Sequence, residues 1–173
     1  IKNKIENTSI KELPKGIDDH GPDALRFYFC TIANYNRYIK FDINIIKKYK
    51  NFCNKIWNAT IFIINNTQNS ISENKIIINN INSFDLWILS EWEITKKYIK
   101  KYIKTYKFDN LSQKIYEFIW NQFCDWYLEF TKSIISKYNN KQINNTKHLM
   151  LYIYKEIIIS IHPIMPYISE EIW

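Results

Sequence analysis

The chain has 173 residues, of which 46% are hydrophobic and 24% charged, and it carries a formal net charge of +7. This length suits one domain with a sizeable core, because a chain of about 150 residues buries roughly 70% of its unfolded surface. Its apolar runs are too short to predict a membrane span, and its three cysteines lack the spacing of a zinc site or a disulfide framework. The charge favours a polyanionic partner such as RNA, although lysines from A/T-rich codons on solvated helix faces would give the same total.

The first half of the chain predicts a connector and two helices. Residues 1–21 are polar and mixed, and we expect them to connect an upstream domain to a bundle that begins at residue 22. Pro22 suits the first turn of a helix that runs to about residue 34. Asp42 is a good N-cap for a second helix, which runs to about residue 66. Its apolar face is predicted from helical spacing to contain Ile45, Tyr49, Phe52, Ile56, Trp57, Ile63 and Ile64.

Two further helices are predicted in the middle of the chain. Ser83 is the expected cap of a third helix over about 84–105, and Asp109 is the expected cap of a fourth over about 110–137. The fourth is predicted to bury Trp126. The short turn between these helices makes them antiparallel neighbours.

The last part predicts a fifth helix over about 146–161, which His162 and Pro163 end. A sixth helix is predicted to begin at Ser169, and it looks truncated, as does the N-terminus. Glycine occurs twice and proline four times, which leaves little room for tight hairpins. The predicted fold is therefore all-α, an antiparallel helical bundle over residues 22–173.

No catalytic or metal-binding constellation is recognisable in the sequence. The three histidines stand apart from one another and from any nucleophile at motif spacing. The two glycines do not form a phosphate-binding loop. Asp125 and Glu129 are four residues apart, which would permit acid–base chemistry, but such pairs are common on solvated helix faces.

A basic and aromatic loop is the first candidate for RNA contact. Arg37 and Lys40 alternate there with Tyr35, Tyr38 and Phe41. Rings stack on unpaired bases and cations meet phosphates, so this composition suits single-stranded RNA. The alternative is that the rings are core and the cations merely solvated.

The second candidate is a face of the second predicted helix. Asn54 and Asn58 are one turn apart on either side of Lys55. Each amide offers a donor and an acceptor, so a pair of amides can read base edges. The alternative is codon bias, since asparagine is abundant throughout the chain.

Four strings, in this order, resemble class I aminoacyl-tRNA synthetases. They are GPDALRF at 21–27, NFCNKIWNA at 51–59, YEFIWNQFCDWYLE at 116–129 and IHPIMPYISEEIW at 161–173. The last is similar to the family pattern H-P-x-x-P-[FY]-[IL]-[ST]-E-x-[IL]-W. Together they are specific for the valine, isoleucine, leucine and methionine branch, and the strings NFCNK and FCDWY favour its valine-specific members.

The resemblance implies a helical domain downstream of a catalytic domain, with tRNA bound through its anticodon arm. It implies a cytoplasmic, monomeric enzyme whose full-length form uses ATP with magnesium to join valine to its tRNA through an adenylate. The signatures H-I-G-H and K-M-S-K-S are absent from these residues, so no cofactor and no catalytic residue are expected here. The implied tRNA-binding residues are Arg37, Lys40, Asn54, Lys55 and Asn58.

The same resemblance implies that Asp23 and Arg26 pack at the junction with the catalytic domain. Their spacing alone would also suit an ordinary surface pair. The chain departs from the family at two positions: Tyr38 follows Arg37 where the family has an aspartate, and Ile61 stands where a cation is common. Three other interpretations remain: the isoleucyl or leucyl enzyme, a stand-alone RNA-binding module, and a plain helical interaction protein.

Overall fold

The structure, a computed structural model, describes residues 20–33, 41–67, 81–137 and 140–173. Within these ranges all regular elements are helices and there is no strand, which confirms the all-α prediction. In chain order the elements are α1 (Pro22–Ile32), α2 (Ile43–Thr67), α3 (Ser83–Lys104), α4 (Phe108–Glu117), a π-helical segment (Phe118–Tyr127), α5 (Leu128–Lys137), α6 (Asn140–Ile161) and α7 (Pro166–Ile172). The π segment joins α4 to α5 without a break. No described helix combines the length and hydropathy that a membrane span needs.

The helices pack around one aromatic core. α1 contacts α2 and α4, α3 contacts α4 and the π segment, and α6 contacts α2 and α3. Burying a large apolar side chain contributes about 1.5–3 kcal/mol, so these side chains dominate the stability of the bundle. The largest of them, all almost fully buried, are Trp92, Tyr28, Tyr127, Phe27, Phe52, Phe118 and Phe123.

The caps of three helices can be compared with prediction. Asp42 is confirmed, because its Oδ1 accepts the Asn44 N–H at 2.9 Å at the start of α2. Ser83 was the wrong residue: Asn82 caps α3, and its Oδ1 accepts the Asp85 N–H at 2.9 Å. Asp109 was also wrong, because α4 begins at Phe108, two residues before the predicted start, and has no side-chain cap.

Two boundaries near the C-terminus also differ from prediction. α6 already begins at Asn140, before the predicted residue 146, so its polar first turns are helical rather than a loop. It ends at Ile161, as predicted from His162 and Pro163. α7 begins at Pro166 rather than at Ser169, because proline tolerates the first helical turn.

The π segment changes which side of the long helix faces the core. The Leu128 N–H donates to the Phe123 carbonyl, five residues back, so the turn holds one residue more than an α-helical turn. Phe118, Phe123 and Tyr127 are buried as a result, whereas Trp126 is 58% exposed. The prediction that Trp126 is core was wrong, because it assumed an unbroken α-helical period.

The buried stripe of α2 differs from the predicted one. It contains Tyr49, Phe52, Ile56 and Ile63 as expected, together with residues that the prediction did not include. Ile45, Trp57 and Ile64 are 36%, 42% and 45% exposed, so their assignment to the core was wrong. They flank the stripe, and the neighbouring helices do not extend over them.

A buried carboxylate connects three elements. Asp85, in the first turn of α3, is 1% exposed. It accepts hydrogen bonds from the Tyr127 hydroxyl at 2.7 Å, the Thr146 hydroxyl at 2.7 Å and the Asn82 amide at 2.7 Å. Burial raises the pKa of Asp85 above its ordinary value, and these three hydrogen bonds oppose the rise. The network therefore holds the π segment and α6 against the start of α3.

Two side chains of α1, Asp23 and Arg26, bond to the C-terminal end of the bundle. Asp23 is 4% exposed and accepts the backbone N–H groups of Tyr167 at 3.4 Å and Ile168 at 2.6 Å, in the first turn of α7. Arg26 donates from Nε to the Ile164 carbonyl at 2.8 Å and from its terminal nitrogen to the Pro163 carbonyl at 3.2 Å. The GPDALRF and IHPIMPYISEEIW strings are thus bonded to each other.

Replacement of Asp85 tests the buried network. Asp85→Ala leaves the buried hydroxyls of Tyr127 and Thr146 without this acceptor, so we expect the free energy of unfolding to fall by about 3 kcal/mol. Asp85→Asn retains the volume and one acceptor oxygen and should cost less. Urea unfolding followed by circular dichroism measures both. Glu93→Ala, on the exposed side of α3, is the control, and a loss in Asp85→Ala no larger than in this control would contradict the role of the network.

Replacement of Asp23 tests the contact between α1 and α7. Asp23→Ala removes the acceptor at the start of α7, which should cost about 1 kcal/mol and speed hydrogen exchange at the amides of Tyr167 and Ile168. Asp42→Ala, which uncaps α2 instead, is the matched control and should leave these two amides protected. Equal exchange in the two variants would mean that Asp23 does not hold α7.

Candidate nucleic-acid interface

A surface groove runs between α2 and the long helix that follows α3. Its volume is about 460 Å³, within the roughly 300–1,000 Å³ typical of ligand sites. Its base is largely apolar and its edges are polar. The described residues that line it are Asn51, Asn54, Lys55, Asn58, Ala59, Phe62, Trp120, Cys124, Asp125, Leu128, Glu129 and Lys132.

The α2 side of this groove is a row of amides. Asn51, Asn54 and Asn58 are exposed and recur at steps of three and four, which places them along one face of the helix. The opposite face of α2 is in the core, so the direction of the row is fixed by packing. Within the described part of the chain, the amides of Asn54 and Asn58 make no hydrogen bond. Their donors and acceptors are therefore available to a ligand.

The opposite side of the groove comes from the π segment and α5. Trp120 and Asp125 belong to the former, and Glu129 and Lys132 to the latter. The wide turn that buries Phe123 and Tyr127 also directs Asp125 towards α2. This wall therefore brings carboxylates, a cation and an indole ring to face the amide row.

Lys55 crosses the groove and is held from two directions. Its Nζ pairs with the Asp125 carboxylate, and the side chains are 27% and 44% exposed. The same Nζ lies 4.4 Å from the centroid of the Trp120 ring, within cation–π range. The indole in turn stacks on Tyr116, with the ring centroids 5.5 Å apart and the planes 16° from parallel. The ammonium group is thus fixed at the centre of the groove.

A second pair repeats this arrangement farther along the groove. Lys132 Nζ lies 2.6 Å from Glu129 Oε1, and 5.6 Å from the centroid of the Phe62 ring. Both partners are about half exposed, so solvent screens the pair strongly. Each lysine of the described lining therefore has a carboxylate partner and an aromatic neighbour.

The structure brings together three of the five sequence-predicted RNA-binding residues. Asn54, Lys55 and Asn58 line the same groove, whereas Arg37 and Lys40 lie outside the described residues. The two predicted junction residues do not line it; they bond the α6–α7 turn and the start of α7, as described above. Ile61, where a cation is common in the resembled family, is 47% exposed on α2.

The groove also contains residues that sequence reasoning did not assign to it. Trp120, Asp125 and Lys132 were missed. Asp125 and Glu129 had been interpreted as carboxylates on a solvated face. No sequence signal marks them, because the five-residue interval between Phe118 and Phe123 also occurs between buried residues of a regular helix, such as Leu149 and Tyr154 on α6.

The cysteines and histidines of the described residues do not form a nucleophilic or metal site. Burial raises the pKa of the Cys30 thiol to about 11 and those of Cys53 and Cys124 to about 12, so all three are protonated at neutral pH. His162 Nδ1 lies 2.8 Å from the Ser169 hydroxyl, beside the start of α7. No cluster of three or more potential metal ligands occurs in the described ranges.

Comparison with known proteins gives a consistent set of relatives. The chain is 41% identical over 179 residues to the valine–tRNA ligase of Buchnera aphidicola subsp. Acyrthosiphon pisum, a match that covers 100% of the chain and 18% of that protein. It is 36% identical to the valine–tRNA ligase of Legionella pneumophila strain Lens, over 100% of the chain and 19% of that protein. For the valine–tRNA ligase of Acinetobacter baylyi the identity is 38%, over 98% of the chain and 18% of that protein. The chain thus spans less than a fifth of the length of these relatives.

The family comparison agrees with the helical architecture. Residues 85–173, more than half of the chain, match the family described as the anticodon-binding domain of tRNA ligase. The match begins at the buried Asp85 and includes the π segment and the three helices that follow it, α5, α6 and α7. This helical chain therefore belongs to the anticodon-binding domain family of tRNA ligases.

Proposed function

We propose that this chain is the part of a valine–tRNA ligase that binds the anticodon arm of tRNA, and that the groove between α2 and the π segment is where it does so. The observation that carries the proposal is the row of unpaired amides on α2, which faces an aromatic and charged wall. Amide pairs suit base edges, and aromatic rings suit the faces of unpaired bases. The valine–tRNA ligases that align over the chain support the choice of amino acid.

Phosphate contacts in this proposal come mainly from outside the groove. The net charge of +7 supplies a long-range attraction for RNA. Lys55 and Lys132 are already paired with carboxylates. Arg37 and Lys40, in the segment between α1 and α2, are the residues that we propose for the RNA backbone.

A second surface supports the proposed contact with a catalytic domain of the same polypeptide. An apolar pocket of about 520 Å³ lies beside α1, and Arg26, Phe29, Phe108 and Ile164 are among its lining residues. Phe29 is 50% exposed. We propose that Asp23 and Arg26 fix the α6–α7 turn there, so that the catalytic domain meets a rigid surface. ATP with magnesium would bind in that domain, and not within these 173 residues.

Substitution of Asn58 tests the base-reading role. Asn58→Ala should reduce discrimination between the valine anticodon and mutated anticodons by about 1–3 kcal/mol, the usual contribution of a good base contact. Asn65→Ala, on the same helix but outside the groove lining, is the matched control. Binding of anticodon-arm RNA is measured by titration at a fixed salt concentration. If Asn58→Ala discriminates as the parent does, the amide row does not read bases.

Lys40→Ala in the same assay should weaken binding to all anticodons about equally and lower the salt slope by roughly one charge. An RNA affinity that is independent of salt in the parent chain would instead favour a plain interaction protein.

Aminoacylation tests the proposed amino acid. A full-length polypeptide that contains this chain should attach valine, rather than isoleucine or leucine, to tRNA with ATP. The 173-residue chain alone should support no valine-dependent ATP–pyrophosphate exchange, since neither class I signature occurs in it. Charging with isoleucine or leucine would replace the valine proposal, and exchange by the chain alone would overturn the assignment of the chemistry to another domain.

A further inference from the structure

The described lining of the groove carries no net charge. Its two lysines, Lys55 and Lys132, are matched by two carboxylates, Asp125 and Glu129. A phosphate-binding site normally presents an excess of cations or convergent backbone N–H groups, because the ligand is an anion. A phosphate that approached Lys55 here would also approach the Asp125 carboxylate. The charge balance therefore disfavours the RNA backbone as the occupant.

The Lys55 ammonium group also already has two partners within the chain. It would have to leave both the Asp125 carboxylate and the face of Trp120, which lies 4.4 Å from its Nζ. The indole is itself stacked on Tyr116. Lys55 is therefore suited to act as a positioning residue that orients the carboxylate across the groove.

The carboxylate of Asp125 retains an unused acceptor. Its Oδ1 binds Lys55, and within the described part of the chain Oδ2 accepts no hydrogen bond. The side chain is 44% exposed and lines the groove opposite the amides of Asn54 and Asn58. An ionised carboxylate only accepts hydrogen bonds, so the matching ligand group is a donor.

Nucleobases differ in whether they provide that donor. Cytosine, adenine and guanine carry an exocyclic amino group, whereas uracil presents carbonyl oxygens and one ring N–H. A carboxylate accepts readily from the cytosine amino group and is repelled by a carbonyl oxygen. The apolar base of the groove, with Phe62, Trp120 and Leu128, suits the flat face of such a ring.

We infer that the groove accepts an unpaired base with an exocyclic amino group, and that Asp125 is the acceptor that selects it. The inference rests on the proposed function, because it assumes that RNA enters this groove. Beyond the proposed function, it names the chemical class of the base that is bound, and it assigns the selection of that base to the Asp125 carboxylate. The amides of Asn54 and Asn58 then bind the remaining polar edge of the same base.

The test compares the parent chain with Asp125→Asn on stem–loop RNAs that carry the valine anticodon. In separate RNAs each amino-bearing anticodon base is replaced by its carbonyl analogue, cytidine by uridine and adenosine by inosine. The parent should bind the unaltered stem–loop about tenfold more tightly than the analogue at one position. Asp125→Asn should reduce this ratio to within about twofold, because an amide can also donate to a carbonyl.

Glu117→Gln is the matched control, since Glu117 is an exposed partner of a lysine on the same long helix and does not line the groove. It should leave the ratio unchanged. A ratio that persists in Asp125→Asn would overturn the inference, even if Asn58→Ala shows that RNA occupies the groove. Binding of no stem–loop by the parent would reject the proposed function together with it, so the two failures are distinguishable.

Discussion

The wide turns of the π segment are the constraint on which the other features of the groove depend. Its wide hydrogen bonding, seen between the Leu128 N–H and the Phe123 carbonyl, rotates the residues that follow away from their directions in a regular α-helix. After the rotation Tyr127 lies in the core, 2.7 Å from the Asp85 carboxylate, and Asp125 lies on the groove side, where it pairs with Lys55. Irregular turns of this kind occur frequently at functional sites.

The bundle combines a buried frame of hydrogen bonds with an open polar groove. The Asp85 network and the bonds from Asp23 and Arg26 are formed by buried or backbone partners, and both connect residues distant in sequence. The ion pairs of the groove are partly exposed, so each contributes little to stability. A ligand can hydrogen-bond to the unpaired amides of Asn54 and Asn58 while the Lys55–Asp125 pair and the helices on either side stay in place, as preorganised recognition requires.

Much of the fold follows from the sequence, and less of the site. Helical spacing and the scarcity of glycine and proline predict the helices, and Asp42 is the cap that it was expected to be. The α2 wall was also predictable, because Asn54 and Asn58 follow one helical face. Trp126 and Asp125 were assigned wrongly or missed, because local propensity does not reveal where a helix widens. Ser83 failed as a cap because the neighbouring Asn82 serves instead, and Asp109 failed because α4 begins before it and has no side-chain cap.

Side-chain amide signals of the asparagines provide the most direct test of the groove as the RNA site. Titration of the isotopically labelled chain with stem–loop RNA that carries the valine anticodon should shift the side-chain amides of Asn54 and Asn58 and the indole N–H of Trp120. The side-chain amide of Asn65, which lies on α2 outside the groove lining, should not shift. Shifts concentrated instead around Phe29 and Ile103, in the apolar pocket beside α1, would contradict the assignment of RNA binding to the groove.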